Sequence, residues 1–70
     1  MIYDFTALQN KMKEKGMTQR KLSKKTGIPL TTLSDKLNGR TEFKATEMRV
    51  IADVLELDSI EGYFLVPKVQ

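Results

Sequence analysis

The chain predicts an all-α domain of five short helices, at about residues 4–15, 18–25, 29–37, 45–56 and 59–64. Three features of the sequence point to it. Apolar residues recur three and four apart, as in Phe5, Leu8, Met12 and again in Leu33, Leu37, the spacing that lines one helix face. Helix-stop residues fall between these runs, at Gly16, Gly27 and Asn38-Gly39, where a left-handed residue ends a helix. The seventy residues contain no internal repeat, low-complexity segment or linker, so they form one domain, near the lower size limit for a self-sufficient core.

Each element has its own signals. Asp4 is the expected N-cap of the first helix, and Gly16 stops it. Met17 is a buried connector. Thr18 caps the second helix, where Leu22 faces inward and Ser23 is small enough for a close helix crossing. Gly27 ends that helix, because a residue without Cβ takes the left-handed turn conformation freely. Pro29 suits the first position of the third helix, where its missing N–H costs nothing. Leu33 and Leu37 lie one turn apart on it, and Asn38-Gly39 breaks it. A polar loop over residues 40–44, interrupted by Phe43, leads to the fourth helix with its stripe of Met48, Ile51, Val54 and Leu55. Asp58 or Ser59 caps a short fifth helix holding Ile60, Tyr63 and Phe64, and Pro67 ends any helix. The tail, residues 65–70, is apolar: Leu65, Val66 and Val69 need a partner, either their own domain or a second chain met by a dimer contact or strand-like arm.

The segment TQRKLSKKTGIPLTTLSDKLNG, residues 18–39, is the most informative. Two short helical patterns meet at Gly27 with almost no room between them. So tight a turn makes the helices cross steeply, one leaning on the body while the other projects. That is a helix-turn-helix arrangement, whose second helix can enter a DNA major groove.

Charge coincides with it. Net charge is +3, but residues 11–44 hold ten Lys or Arg against three acids, a net +7. Residues 45–70 hold two bases against five acids, a net −3. A basic segment on a neutral-to-acidic scaffold is an electrostatic footprint for phosphate. The chain has no cysteine and no histidine, which removes disulfides, thiolate metal sites and the commonest general base. No glycine-rich phosphate loop or metal-ligand cluster accompanies its Ser, Thr and carboxylates, so neither an enzyme nor a metal or cofactor site is expected. The first residues lack the form of a signal peptide and no apolar run reaches membrane-spanning length, making a cytoplasmic protein the expectation. The small core makes a homodimer an expected state.

On these residues the chain resembles the small helix-turn-helix domain of temperate-phage repressors and Cro proteins, the XRE-like family. The matching residues are Thr18-Gln19, Leu22-Ser23, Gly27-Ile28, Leu33, Leu37-Asn38-Gly39-Arg40 and the Ile51-Ala52-Asp53-Val54-Leu55 helix. The frames YDFTAL near the start and YFLVPKVQ at the end further resemble short Cro-like proteins of phages from Gram-positive bacteria. The resemblance spans nearly the whole chain. It implies a five-helix lambda-repressor-like fold and binding to double-stranded operator DNA in the bacterial nucleoid. Some small proteins beside phage repressor genes instead bind the repressor protein, as modulators or antirepressors, and the chain has the size of one.

The resemblance places phosphate contacts at Thr18 and Gln19, where a helix N-terminus offers free N–H donors, and at Asn38, Arg40 and Lys44 just after the third helix. Phosphate contacts set register and carry no sequence information. Arg20, Lys21, Lys24 and Lys25 are expected to be solvated or to act at long range. With Leu33 and Leu37 inward, a step of about 100° per residue turns Thr31 and Asp35 to the opposite face of the third helix, flanked by Thr32, Ser34 and Lys36. Leu30 suits either the base-reading face or the core. Leu30, Thr31 and Thr32 can pack on thymine methyls, Lys36 can donate to guanine, and Asp35 can accept from cytosine N4. No Arg, Gln or Asn stands on this helix before Asn38, so the strongest bidentate base contacts are missing.

Overall fold

Residues 3–68 are described by the structure, a computed structural model. Their five helices are α1 (Thr6–Glu14), α2 (Gln19–Thr26), α3 (Leu30–Leu37), α4 (Ala45–Leu55) and α5 (Glu61–Phe64). The only β-type pairing among these residues is an isolated antiparallel bridge between Tyr3 and Pro67. The chain is therefore all-helical, as the spacing predicts, and the boundaries differ in ways with local causes.

α1 begins two residues after Asp4. The Asp4 carboxylate accepts from the Thr6 N–H at 2.8 Å and from the Thr6 hydroxyl, forming a turn just ahead of the helix rather than an N-cap on it. Those two bonds hold the Asp4 carboxyl below its ordinary range. Thr18 does cap α2: its Oγ1 accepts from the Lys21 N–H at 3.2 Å. Gly27 ends α2 at φ +80°. Pro29 sits one position earlier than expected, as the N-cap of α3, with an extended ψ of 143°. At the fifth helix it is Ser59 whose hydroxyl caps, accepting from the Gly62 N–H at 3.1 Å.

The turn between α2 and α3 is held from α2. The Ser23 hydroxyl donates to the Ile28 carbonyl. Thr26 Oγ1 accepts from the Ile28 N–H at 3.3 Å while donating to Leu22 O at 2.7 Å. Both polar backbone groups of Ile28 are thus satisfied by side chains of α2, and the Ile28 side chain is buried. Ser23 does more than leave room for a close crossing; it fixes the path of the chain into α3.

α2 packs against both α3 and α4, and α1 packs against α5. Leu8, Leu22, Leu33, Ile51 and Leu55 are fully buried where these elements meet. On α4 the buried residues are Ile51, Ala52 and Leu55, with Met48 and Val54 half-buried at the margin. Phe43 corrects the expectation of a polar loop: it is buried and bridges Phe5 and Phe64, with ring centroids 5.3 Å and 5.1 Å away and both pairs edge-to-face. The connection from α3 to α4 is thereby anchored in the core. The tail returns to the start of its own chain, where the Asp4 N–H donates to Val66 O at 2.8 Å. Val69 lies outside the described residues. No helix among the described residues is long and apolar enough to cross a membrane.

Candidate nucleic-acid interface

The surface to weigh comprises the start of α2, the outward face of α3, and the connection that follows α3. At the start of α2, Thr18 is exposed and its hydroxyl is occupied by capping; Gln19 is half-buried. The first N–H groups of α2 lie beside them, so this end carries the positive end of the helix dipole. A shallow depression of about 370 Å³ is lined by Met17, Thr18 and Gln19 on one side and Leu37 on another. The start of α2 and the end of α3 therefore share one stretch of surface, and Asn38, directly after Leu37, is exposed beside it.

α3 sorts its residues by burial. Leu33, Lys36 and Leu37 face inward. Leu30 is exposed, which settles its two expected positions in favour of the outer face, and Thr31 is exposed next to it. Thr32, Ser34 and Asp35 are half-buried. The expectation that Lys36 reaches outward to a guanine is overturned: the residue is 5% exposed. Its Nζ donates to Glu47 Oε1 across the gap to α4. The carboxylate at hydrogen-bonding distance offsets part of the cost of taking the ammonium out of water, and the four-carbon stem adds apolar contact to the core. The outward face of α3 is left without a cation.

Glu47 has a second task. Its Oε1 also accepts from the Lys44 N–H, at 2.8 Å, the first backbone donor of α4. Partial burial pushes this carboxyl upward, but the Lys36 ammonium, the Lys44 N–H and the charges of both lysines outweigh it and hold the group below its ordinary range. A Glu at the third position of a helix is a legible sign of this backbone contact; the pairing with Lys36 has no such sign.

Arg40 is exposed and stands 3.6 Å from the Asp35 carboxylate. Its backbone N–H donates to Asp35 O at 2.9 Å, so the chain after α3 folds back over that residue. An exposed pair of this kind is worth about 0–1 kcal/mol. Arg40 can hence exchange Asp35 for another anion cheaply, and while paired it offsets the negative charge on α3. Lys44 is exposed at the start of α4.

Positive charge is concentrated elsewhere than the third helix. Lys11 pairs with Glu14 at 3.7 Å and Lys15 with Glu56 at 3.3 Å. Arg20, Lys21, Lys24 and Lys25 are exposed on α2, and no salt bridge among the described residues engages them. Leu22, Ser23 and Thr26 point α2 inward, so these four cations form one outer ridge. No group of three or more His, Cys, Asp or Glu able to hold a metal ion occurs among the described residues.

No curated protein matches the chain. A family model described as "Protein of unknown function (DUF739)" matches residues 1–66, almost its full length, and the chain belongs to that family.

Proposed function

We propose that the domain is a sequence-specific DNA-binding regulator of transcription, of the phage Cro or repressor kind, that acts in the bacterial cytoplasm by laying α3 in the major groove of an operator. It is a binding module, not an enzyme. The observation that carries this reading is the α2–turn–α3 unit. Ser23 and Thr26 fix its turn, its second helix exposes Leu30 and Thr31, and an N-terminal donor end and an unpaired cation ridge flank it on α2. Phosphates are held by the start of α2, with Gln19, and by Asn38, Arg40 and Lys44; the α2 ridge adds long-range attraction.

With Lys36 buried and Asp35 beside Arg40, α3 offers bases no cation, and apolar contacts carry most of the readout. Leu30 and the methyl of Thr31 suit the C5-methyl of thymine. The longest dimension of the domain is 33 Å, while successive major-groove faces lie about 34 Å apart. One copy with one α3 therefore serves one half-site, and a homodimer reads a two-fold operator.

A second reading keeps the fold and gives it a protein partner, a phage repressor that it modulates. The burial of Lys36 favours it, because a base-reading helix has lost its one cation. Fluorescence anisotropy against the DNA flanking the gene, with a scrambled duplex as control and at several salt concentrations, separates the two. The regulator binds one segment tightly, with affinity that falls steeply as salt rises, and Gln19→Ala with Arg40→Ala abolishes that binding. Equal, weak binding to both duplexes sinks the regulator and turns the search to a repressor encoded nearby.

A further inference from the structure

Lys36 is the one charged residue among the described residues that is buried. It need not have been. Helix α3 could close its core face with another apolar side chain, and a buried ion pair is in general no more stabilising than a well-packed apolar pair of the same volume. What the pair supplies is a defined geometry. The same carboxylate oxygen of Glu47 receives the Lys36 ammonium from the last turn of α3 and the Lys44 N–H from the first turn of α4. Residues 38–44, the whole connection between the two helices, are thus tied at both ends to one atom. All three phosphate-contacting residues proposed after α3, Asn38, Arg40 and Lys44, lie in that connection.

Two further bonds depend on the same end of α3. The Gly39 N–H donates to Lys36 O at 3.1 Å and the Arg40 N–H to Asp35 O at 2.9 Å. These set the direction in which the chain leaves the helix. No buried side-chain nitrogen or oxygen among the described residues lacks a partner, so the network is complete, and such a network holds one arrangement where apolar packing tolerates several.

We propose that Lys36 and Glu47 are positioning residues: without touching DNA, they hold the α3–α4 connection in the conformation that presents Asn38, Arg40 and Lys44 to one phosphate run. The second half of this statement rests on the DNA-binding reading above; the first half does not.

The test crosses two variants. Lys36→Met with Glu47→Leu replaces the pair by apolar groups of similar volume, keeping the core filled. Glu47→Gln keeps an oxygen that accepts from both donors but removes the charge that pays for burying Lys36. For each, urea denaturation gives stability, amide hydrogen exchange reports the Gly39 and Arg40 N–H groups, and the dependence of DNA affinity on salt counts phosphate contacts. The apolar variant is expected to keep its denaturation midpoint, to exchange at Gly39 and Arg40 about tenfold faster, and to bind with a salt slope shallower by about one to two. Glu47→Gln is expected to do the reverse, with a lower midpoint and an unchanged slope. A merely structural pair would move slope and midpoint together. Unchanged exchange at Gly39 and Arg40 in the apolar variant overturns the proposal whatever the DNA result. Faster exchange in a protein whose wild type binds no specific duplex upholds the positioning role and refutes the DNA-binding reading alone.

Discussion

Phe43 tests the fold most sharply, because it is a loop residue by sequence and a core residue by structure. The residue is 7% exposed and its ring meets those of Phe5 and Phe64 edge-to-face at 5.3 Å and 5.1 Å. Each such contact is worth about 0.5–1.5 kcal/mol beyond the area it buries. Phe43→Leu keeps most of the apolar volume and loses both, so a cost of about 1–3 kcal/mol follows. Phe43→Ala adds a cavity, and substitutions of that class cost about 3–5 kcal/mol. A domain of this length has roughly 4–10 kcal/mol in total, at about 0.05–0.15 kcal/mol per residue. The alanine variant therefore loses between about a third and all of that stability, and the leucine variant is the more informative one. At about 4–8 °C per kcal/mol for so small a domain, Phe43→Leu lowers Tm by about 4–24 °C. Urea unfolding followed by far-ultraviolet circular dichroism measures the difference, with an unchanged dependence on denaturant showing that only stability moved. A cycle with Phe5→Leu isolates the Phe5–Phe43 contact. A cost below about 1 kcal/mol for Phe43→Ala would refute the placement of Phe43 in the core.

Backbone conformation makes two predictions of opposite sign. Gly27→Ala, at φ +80° with open space around the missing Cβ, destabilises by about 1 kcal/mol from backbone strain alone. Glu56→Gly relieves a non-glycine residue held at φ 56° and stabilises by up to about 1 kcal/mol, since the exposed Lys15–Glu56 pair that it removes is worth little; both are read as shifts in the urea midpoint. The acid limb of stability reports Glu47. Its carboxyl is lowered in the folded protein, so its contribution is fully present above the ordinary carboxylate range and is lost as pH falls through the folded value. Glu47→Gln should flatten that limb in urea titrations carried down through and below the ordinary carboxylate range, and an unaltered limb would contradict the pairing with Lys36. Replacing thymine by uracil in a bound operator removes the C5-methyl alone; if Leu30 and Thr31 read it, affinity falls by about 1 kcal/mol or less per methyl contacted, and indifference to every such replacement would exclude apolar readout.

The parts of this protein legible along the chain are those governed by neighbours in sequence. Thr18 caps α2 because the donor it satisfies is three residues away, and Gly27 ends the helix because its φ is a property of one residue. The helical spacing of Leu8 and Met12, or of Leu33 and Leu37, already assigns them to the inner face. The predicted bounds drift by one or two residues where a side chain competes with the helix, as Asp4 does through Thr6. The outward face of Thr31 followed from the same periodicity.

Distant partners decided the rest. A phenylalanine between Glu42 and Lys44 has no periodic signal, and only the approach of Phe5 and Phe64 from opposite ends of the chain makes its position a core. Nothing near Val66 in sequence shows that its carbonyl will meet the N–H of Asp4. Lys36 is the clearest case. By local rules a lysine flanking the outward face of α3 belongs in solvent, because burying an ammonium is costly. It is inside because Glu47, eleven residues later on another helix, is brought to its tip by the packing of α2 against both α3 and α4. Local geometry depends on steric and hydrogen-bonding terms that act within a turn of chain, whereas the burial of a charge depends on where its counter-charge ends up, and that is set only when the helices pack.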